Sequence, residues 1–491
     1  MDRLKLIVMI VLCVIFVTAC DNYDKFTDSP SAELSFSLDT ISFDTIFANT
    51  PSTTKTLIVK NNGSEGVHIA DIRLLKGKDS PYRINIDGEA LAEKICDVEV
   101  RAGDSIFVFA EVTMPILPEG ESTLVDNLLF ALSGGRQQKV VLSTASLSMT
   151  PYYNGLYVER DTTFSATERR VIYGKLGVAK GATLTIEAGT TLYFHPDATL
   201  DVFGRLVCNG TYEQPVVLRG DRLDRLFKNL PYDNTVGRWG GVKMHPESGP
   251  NALTCTDIHS SDYGIIADTA AVVLNSCIIH NIGGVGLSLN DANVFAVNTQ
   301  VSNTWGNCVN AIGGANEFVF CTFAQFYPWE SSCANALYIA DKKTVYDIDE
   351  KTGKSKAIEV DMPIQMMNFS SCLVTGYADD ELMGSIENEA SAPYWFGHCV
   401  LRTPEVVDEK HYGDIVWELP KNDSKEDLPK QGIKQFNSIN TDDFLYDFRP
   451  HKRSIGTSVY DPIDVQNFPF DRLGVVRADT IYAGCYQAVG E

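Results

Sequence analysis

Four similar segments between residues 254 and 326 decide how this chain folds: TCTDIHSSDYG (254–264), NSCIIHNIGGVG (275–286), NTQVSNTWGNCV (298–309) and FCTFAQF (320–326). Counting from the first thiol in steps of 22 residues gives one column: Cys255, Cys277, Thr299 and Cys321. Four positions later the same step gives a polar column: His259, Asn281, Asn303 and Gln325. A repeat of this length predicts a solenoid, in which each unit stacks on the next.

The same period begins well before the thiols. Three apolar pairs recur at this spacing: Leu184 and Leu206, Ile186 and Cys208, and Phe194 and Val216. Each unit contains apolar pairs of strand length with Gly or Asn between them, and it cannot bury its inward face alone. Three strands in each coil, each pairing in parallel with the next coil at a rise of about 4.8 Å, predict a right-handed parallel β-helix.

We interpret both columns, the thiols and the polar residues, as structural features of the solenoid. Residues at one coil period point the same way, so the Cys column is predicted to be an interior stack of buried thiols, although export would favour disulfides. The column from His259 to Gln325 is predicted to be a corner ladder whose side chains hydrogen-bond along the axis, because Asn tolerates left-handed backbone and both donates and accepts. In the alternative, His259 and His280 are functional, but they align only if the register slips by one residue.

Residues 32–150 follow a period of two instead. Short alternating segments such as TLIVK (56–60) and IFVFAEV (106–112) are separated by turn signals such as Asn61-Asn62-Gly63. This spacing predicts an all-β sandwich. The tract FDTIFANTPSTTKTLIVKNNGSEGVHIADIRL (43–74) resembles the immunoglobulin-like domains at the start of bacterial surface proteins. That resemblance implies a spacer or docking module.

The N-terminus reads MDRLKLIVMIVLCVIFVTAC (1–20). Arg3 and Lys5 precede an apolar stretch that is shorter than the roughly 17 to 20 residues of a membrane span, and small residues precede Cys20. The pattern predicts a signal peptide over residues 1–19 and resembles the lipobox of bacterial lipoproteins; the alternative is an uncleaved membrane anchor. The resemblance implies that Cys20 is acylated, for example with palmitate, and begins a lipidated linker over residues 20–31. We expect the outer membrane, at its periplasmic or external face.

Composition limits the partners. The 41 Lys and Arg against 64 Asp and Glu give a formal charge of −23 at pH 7. Nucleic acid is therefore not expected as a partner, because phosphate binding needs concentrated positive charge. The same charge counts against polyanionic sugars. A hydrophobic content of 44% and an aromatic content of 10% exclude wholesale disorder.

The coil sequences point to a family. GATLTIEAGTTLYF (181–194), LDVFGRLVCNGT (200–211) and GRWGGVKMHPES (237–248) resemble coils of pectin-lyase-like β-helix lipoproteins of Gram-negative bacteria. DFRPHKRSIGTSVYD (447–461) and DRLGVVRADTIYAGCYQ (471–487) resemble the segment called the choice-of-anchor Q domain. The positions that match that segment are Ser454, Ile455, Gly456, Asp471, Gly474, Arg477, Ala483, Gly484 and Tyr486. Cys485 departs from the usual Ala.

Charged stretches interrupt the coils. Residues 221–237, 341–361 and 404–431 are predicted to be loops extruded from a β-helix that spans residues 151–433. Cys372 and Cys399 are expected to rejoin the thiol column between these loops, and Trp239 is expected to pack rather than stack on sugar. Residues 434–491 are predicted to be a capping segment.

Catalytic patterns are weak. Hydrolases of this fold use paired carboxylates beside a GHG motif, to which Gly397-His398-Cys399 comes closest. The lyases use a Ca²⁺-binding carboxylate cluster and an RxPxxR arginine, which RPHKR (449–453) does not fit. Asp379-Asp380-Glu381 is interpreted as a solvated turn. We therefore expect no catalytic, cofactor-binding or metal-binding residues.

Two functions stay open. In the first, a membrane-anchored envelope lipoprotein displays a non-catalytic β-helix that binds a polysaccharide or an envelope protein. In the second, the chain is a diverged polysaccharide lyase or glycoside hydrolase on a pectin-lyase-like fold. Because one fold supports many activities, the fold itself does not decide between them.

Overall fold

The computed structural model describes residues 25–117, 122–227, 229–246, 248–330, 333–348, 355–419 and 432–488. The chain divides into two compact units, Met1–Ser148 and Met149–Glu491. The predicted signal peptide at 1–19 and the predicted acylation site, Cys20, lie outside the described residues.

The first unit is a β-sandwich of two sheets. One sheet contains six strands: Phe26–Thr27, Thr40–Phe47, Gly66–Leu74, Ile95–Val100, Thr123–Leu132 and Gln137–Leu147. The other contains five strands: Ser35–Phe36, Lys55–Lys60, Tyr82–Ile86, Glu89–Ala90 and Ser105–Val112. A 3₁₀ turn at Gly77–Asp79 precedes Tyr82–Ile86. Phe26–Thr27 belongs to the sandwich, although the sequence assigned it to the linker.

Alternation of apolar residues explains why these segments are strands. In Ser105–Val112, every second side chain is buried: Ile106, Val108, Ala110 and Val112. Successive side chains point to opposite faces of a strand, so these four face the other sheet and join one apolar core with it. The predicted all-β sandwich is confirmed at this level.

The second unit is a parallel β-helix whose chain visits three sheets in turn. Sheet 1 contains Thr150–Tyr152, Arg170–Ile172, Thr191–Phe194, Val216–Gly220, Thr256–His259, Ile278–Ile282, Gln300–Thr304, Thr322–Gln325, Leu373–Gly376, Val400–Pro404 and Val416–Leu419. Sheet 2 contains Leu156–Val158, Lys175–Val178, Thr199–Val202, Gly241–Met244, Ile265–Asp268, Leu287–Asn290, Val309–Ile312, Leu337–Ala340 and Leu382–Ser385. Sheet 3 contains Thr162–Phe164, Thr183–Glu187, Arg205–Asn209, Asn251–Thr254, Ala271–Asn275, Asn293–Val297, Gly314–Val319, Ile364–Ser370, Tyr394–Gly397 and Tyr412–Gly413. Neighbouring strands pair in parallel, so the predicted β-helix is confirmed.

The thiols form a stack inside the helix, but its first member is not the predicted one. The strand register puts six residues in one buried column: Thr256, Cys277, Thr299, Cys321, Cys372 and Cys399. The backbone N–H of Cys321 donates to Cys372 Sγ at 3.4 Å, and that of Cys372 donates to Cys399 Sγ at 3.4 Å. All the described cysteines are free thiols. Buried thiols are therefore confirmed, whereas Cys255 lies one residue outside the stack.

The earlier coils keep part of the predicted spacing. Leu184 and Ile186 pair with Leu206 and Cys208, as expected. Phe194 pairs with Gly220 and not with Val216. The coil is longer at this point because residues 210–215 form an additional turn before sheet 1, so that part of the prediction is wrong.

Left-handed backbone marks the corners of the helix. Before sheet 1, φ lies between 43° and 58° at Cys255, Ser276, Asn298, Phe320, Ser371, His398 and Asp414. At the far ends of three sheet 1 strands, φ is also positive at Ser260, Asn281 and Asn303. The predicted left-handed corner is thus confirmed for the two asparagines. It is wrong for His259, which pairs with His280 inside the strands.

Two of the three predicted insertions leave the coils. Residues 341–361 contain an antiparallel hairpin of Lys342–Ile348 and Ser355–Asp361. Residues 221–237 contain a shorter hairpin, Arg225–Phe227 with Leu230–Pro231, followed by a 3₁₀ turn at Tyr232–Asn234. A further 3₁₀ turn lies at Glu389–Ser391.

The third predicted insertion, 404–431, is wrong in its first part. Tyr412–Gly413 pairs with sheet 3 and Val416–Leu419 pairs with sheet 1, so the coil continues there. Residues 420–431 lie outside the described residues. Trp239 packs as expected, because it is fully buried, stacks on Phe194 with ring centroids 4.3 Å apart and donates to the His259 carbonyl at 2.8 Å.

Residues 434–488, which we call the C-terminal strap, lie along the outer face of sheet 1. The strap contains the antiparallel strands Phe436–Asn440 and Leu445–Pro450 and the short helix Pro462–Asn467, which begins after the capping residue Asp461. Its hydrogen bonds to the coils join Asp464 to Ser371, Cys485 to Thr322, Tyr486 to Gln300 and Arg472 to Cys277. The sequence predicted a cap; the structure shows a lateral cover.

Candidate functional site

Three titratable side chains meet on the outer face of sheet 1. Asp257 and His259 are two residues apart on one strand and therefore point to the same face. His280 lies directly opposite His259 on the next strand. Asp257 Oδ1 is 2.8 Å from His259 Nδ1 and 3.1 Å from His280 Nε2. One ligand atom from each of the three residues lies within 4.8 Å of the other two, and we call the group the Asp–His cluster.

Asp233 contacts the other side of His259. Its Oδ1 lies 3.4 Å from His259 Nε2 and 2.5 Å from an Arg219 guanidinium nitrogen. Two left-handed corner residues hold the backbone here, since the Ser260 hydroxyl and the Asn281 amide donate to the Asp233 carbonyl at 2.8 Å and 3.3 Å. Of the predicted corner column, Asn281 therefore helps to fix an inserted loop over the cluster, whereas Gln325 hydrogen-bonds Thr304 of the adjacent coil.

Neighbouring charges outweigh burial in this cluster. Burial lowers the pKa of His259, but the carboxylates of Asp257 and Asp233 raise it by more than burial lowers it. The net pKa is about 9, above the usual 6.5. Burial raises the pKa of Asp257, but the two imidazoles hold it well below its usual value. At neutral pH, with only protons bound, His259 is an imidazolium between two carboxylates.

A cleft of about 400 Å³ lies beside the cluster, between sheet 1 and the strap. Sheet 1 and its corner contribute Ile278, His280, Asn281, Gln300, Ser302 and Asn303. The strap contributes mainly Tyr446, Asp447, Phe448, Arg449, Arg472 and Tyr486. The volume lies within the range of small-molecule sites, and most of the lining is amide, hydroxyl or aromatic.

Two buried polar atoms in this lining have no hydrogen-bond partner. They are Asn303 Oδ1 and the hydroxyl of Tyr446. An unpaired buried polar group costs about 1–3 kcal/mol. Both atoms have almost no solvent-exposed surface, so a ligand in the cleft reaches them only if the side chains around them shift.

The cleft offers little for acid–base catalysis. Among its described lining residues, Asp447 is the one carboxylate. Arg449 donates to both oxygens of Asp447, at 2.8 Å and 2.6 Å. Burial raises the pKa of Asp447, but the hydrogen bonds from Arg449 lower it more. Glycoside hydrolysis requires two carboxyl groups, one of them with a raised pKa, and this lining lacks that pair.

The acidic turn predicted at Asp379-Asp380-Glu381 is not fully solvated. Glu381 is completely buried and accepts the backbone N–H groups of Ala336 and Ala378, each at 2.8 Å. Burial raises its pKa to about 8. The prediction is wrong for Glu381, because the corner turns its side chain toward the coil.

The other sequence candidates lie apart from the cluster. His398 occupies a left-handed corner and lies 3.4 Å from the exposed carboxylate of Asp414. Arg449, from the motif that fits no lyase, lines the cleft.

The sequence missed the Asp–His cluster for a specific reason. The coil from Thr256 to Cys277 has a step of 21 residues, so the 22-residue period pairs the wrong side chains. The available signal was an Asp-x-His on one strand followed by His280 at the shorter step. Aligning His259 with His280 requires a slip of one residue against the 22-residue period.

Comparisons with known proteins leave the family open. No family model matches the chain, and no curated protein matches its sequence. The ASH/PapD-like domain of human CEP192 (PapD-like domain 7) is similar over 25% of this chain and 92% of that chain, at 14% identity and a TM-score of 0.18. A family 123 glycoside hydrolase from Clostridium perfringens, described for glycolipid glycan hydrolysis, is similar over 28% of this chain and 30% of its own, at 8% identity and a TM-score of 0.18. Similarities this weak assign no function.

Among the described residues, no helix is long and apolar enough to cross a membrane.

Proposed function

We propose that this protein is an envelope lipoprotein, anchored through acylated Cys20, whose β-helix binds a neutral glycan without cleaving it. The glycan would occupy the cleft between sheet 1 and the C-terminal strap. One observation carries the proposal: Asn303 Oδ1 and the Tyr446 hydroxyl are buried and unpartnered in the same lining. A sugar hydroxyl both donates and accepts, so a glycan can pair with these two atoms once the side chains that cover them shift.

The net charge of the chain favours a neutral ligand. Arg449 is paired with Asp447, and the whole chain has a formal charge of −23. A net charge of this sign repels polyanions and gives them no electrostatic steering. Amides and hydroxyls such as Asn281, Gln300 and Ser302 supply uncharged hydrogen bonds instead.

Binding without cleavage is the simpler chemistry for this lining. Asp447 is held as a carboxylate, so it is a poor general acid. The diverged lyase or hydrolase is therefore the second candidate, and product release is the observation that would support it.

The glycan proposal is tested with the full chain in detergent micelles. A panel of neutral and acidic oligosaccharides is screened for binding and, in the same samples, for released products. We expect a neutral glycan to bind and to be recovered intact. Binding confined to acidic glycans, or no binding at all, contradicts the proposal; recovery of shortened products replaces it with the enzyme.

A matched pair of variants locates the site. Tyr446→Phe removes the unpartnered hydroxyl and should weaken binding about tenfold, which corresponds to one hydrogen bond. Tyr338→Phe makes the same change on sheet 2, away from the cleft, and should leave affinity unchanged. Equal affinity of both variants and the wild type would place the glycan elsewhere.

The anchor is tested separately. Fatty acid supplied to expressing cells should label the wild-type chain and not Cys20→Ala. Labelling that persists in the variant removes Cys20 from the proposal but leaves the cleft untouched.

A further inference from the structure

We propose that Asp257, His259 and His280 form a binding site for one divalent transition-metal ion, Zn²⁺ or a chemically similar ion. The ligand atoms would be Asp257 Oδ1, His259 Nδ1 and His280 Nε2. Oδ1 lies 2.8 Å from Nδ1 and 3.1 Å from Nε2, and one ligand atom of each residue lies within 4.8 Å of the other two. Two imidazoles and one carboxylate suit zinc, whereas Ca²⁺ and Mg²⁺ prefer oxygen ligands throughout. The proposal does not depend on glycan binding.

The strands set the positions of the ligands. Asp257 and His259 share one strand face, and His280 faces them from the adjacent strand. Neighbouring strands lie about 4.8 Å apart, which brings the two imidazoles to the same carboxylate oxygen. The observed separations from Asp257 Oδ1 are 2.8 Å and 3.1 Å. Ligand atoms of a tetrahedral zinc site are about 3.3 Å apart, given bonds of about 2.0–2.1 Å, so a small opening admits the ion.

Asp233 completes the arrangement around His259. Zinc-bound histidines usually donate their second ring N–H to a carboxylate or a carbonyl, which fixes the tautomer. His259 Nε2 lies 3.4 Å from Asp233 Oδ1, and Arg219 holds that carboxylate at 2.5 Å. A bound metal ion would displace the Nδ1 proton of His259, which would keep its Nε2–H toward Asp233 and offer the Nδ1 lone pair to the ion. Separate protons bridge the two contacts to Asp257, whereas one metal ion would bind all three atoms.

The ion has access from one side. His280 also lines the cleft, so the cluster can be reached through it. Three protein ligands leave a fourth tetrahedral position for water or a ligand oxygen.

The experiment titrates metal into the full chain in detergent after removal of bound ions with a chelator. Zn²⁺ binding is followed by calorimetry and Co²⁺ binding by visible absorbance, both without glycan. All variants carry Cys96→Ser, because Cys96 is the exposed thiol among the described cysteines. We expect one ion per chain and a cobalt spectrum without thiolate charge transfer.

The decisive variant is His280→Ala, which should weaken metal binding by at least tenfold. The matched control is His195→Ala, since His195 pairs with a single carboxylate, Asp221, at 2.7 Å. That variant should bind like the wild type. Asp233→Asn tests the outer contact and should weaken binding by about 10- to 100-fold while all three ligands remain. Circular dichroism establishes whether each variant is folded. If His280→Ala does not fold, the metal affinity of Asp233→Asn tests the proposal instead.

Three results would overturn the site: no binding by the wild type, equal binding by His280→Ala, or a thiolate–cobalt band. The cluster would then be an ion-paired network. Failure of glycan binding would leave this result unaffected, because the metal is measured alone.

Discussion

Sheets 1 and 2 of the β-helix are built from the same coils, yet their outer faces differ. On sheet 1, outward residues such as Gln300, Ser302 and Arg402 are buried under other parts of the chain. On sheet 2, outward residues such as Ser288 and Asn310 stay partly exposed, and Tyr157 is 64% exposed. The C-terminal strap contacts Gln300 through Tyr486, whereas Arg402 contacts Ala378 and Glu418.

The comparison shows where this solenoid acquires specific contacts. The repeated coils present a regular polar surface on sheet 1. The C-terminal strap covers part of that surface and leaves a cleft between the strap and the sheet. Function is expected where the strap leaves space, which is at the cleft and not along the open sheet.

The largest expected effect comes from the strap's apolar anchor. Phe448 is 7% exposed and packs against Phe436 and Phe326, with ring centroids 5.1 Å and 6.2 Å away. Phe448→Ala should lower the free energy of unfolding by about 3–5 kcal/mol, because it leaves a cavity. Denaturant unfolding measures the change.

Tyr157→Ala on open sheet 2 is the control for that substitution. It should change the free energy of unfolding by less than about 0.5 kcal/mol, since an exposed ring loses little burial. Similar losses for the two variants would mean that the two faces are equally important for stability.

A pH comparison should separate two buried carboxyls that differ in their hydrogen-bond partners, Glu381 and Asp201. Burial raises the pKa of Glu381 from 4.5 to about 8. The folded protein then holds a proton that the unfolded chain releases, so stability falls as pH rises from about 4.5 to about 8. The slope from this group is at most about 1.4 kcal/mol per pH unit. Glu381→Gln should remove that slope in denaturant titrations across this range.

Asp201 on sheet 2 should behave in the opposite way. Burial raises its pKa, but hydrogen bonds from Thr199 and His245 lower it more, so the net pKa falls below 3.8. Its contribution to stability is present above pH 3.8 and is lost as pH falls through the folded pKa. Asp201→Asn should therefore destabilise the protein at neutral pH and have little effect in acid. An identical pH response of the two variants would contradict the assigned environments.

The smallest effect tests one hydrogen bond between the strap and sheet 1. The Tyr486 hydroxyl donates to Gln300 Oε1 at 2.6 Å. Tyr486→Phe should cost about 0.5–1.5 kcal/mol of unfolding free energy, and Tyr338→Phe on sheet 2 should cost less. No difference between them would show that this hydrogen bond adds nothing to the docking of the strap.

Much of the fold could be predicted because a solenoid repeats its chemistry. Apolar residues such as Leu184 and Leu206 must stack for each coil to bury its inward face, and they do. The position of His259 could not be predicted from the same period, because the coil there has a step of 21 residues. In a strand, a shift of one residue moves a side chain to the opposite face.

By itself, the sequence determined the all-β class, the parallel coils and the buried thiols, since each follows from local alternation and a repeated step. Only the tertiary structure decided that the residues after 434 cover sheet 1, that Asp233 faces His259, and that Glu381 is buried. These contacts join residues such as Gln300 and Tyr486, which are 186 positions apart. No local period encodes such a pairing, because it depends on where the chain returns after the coils have formed.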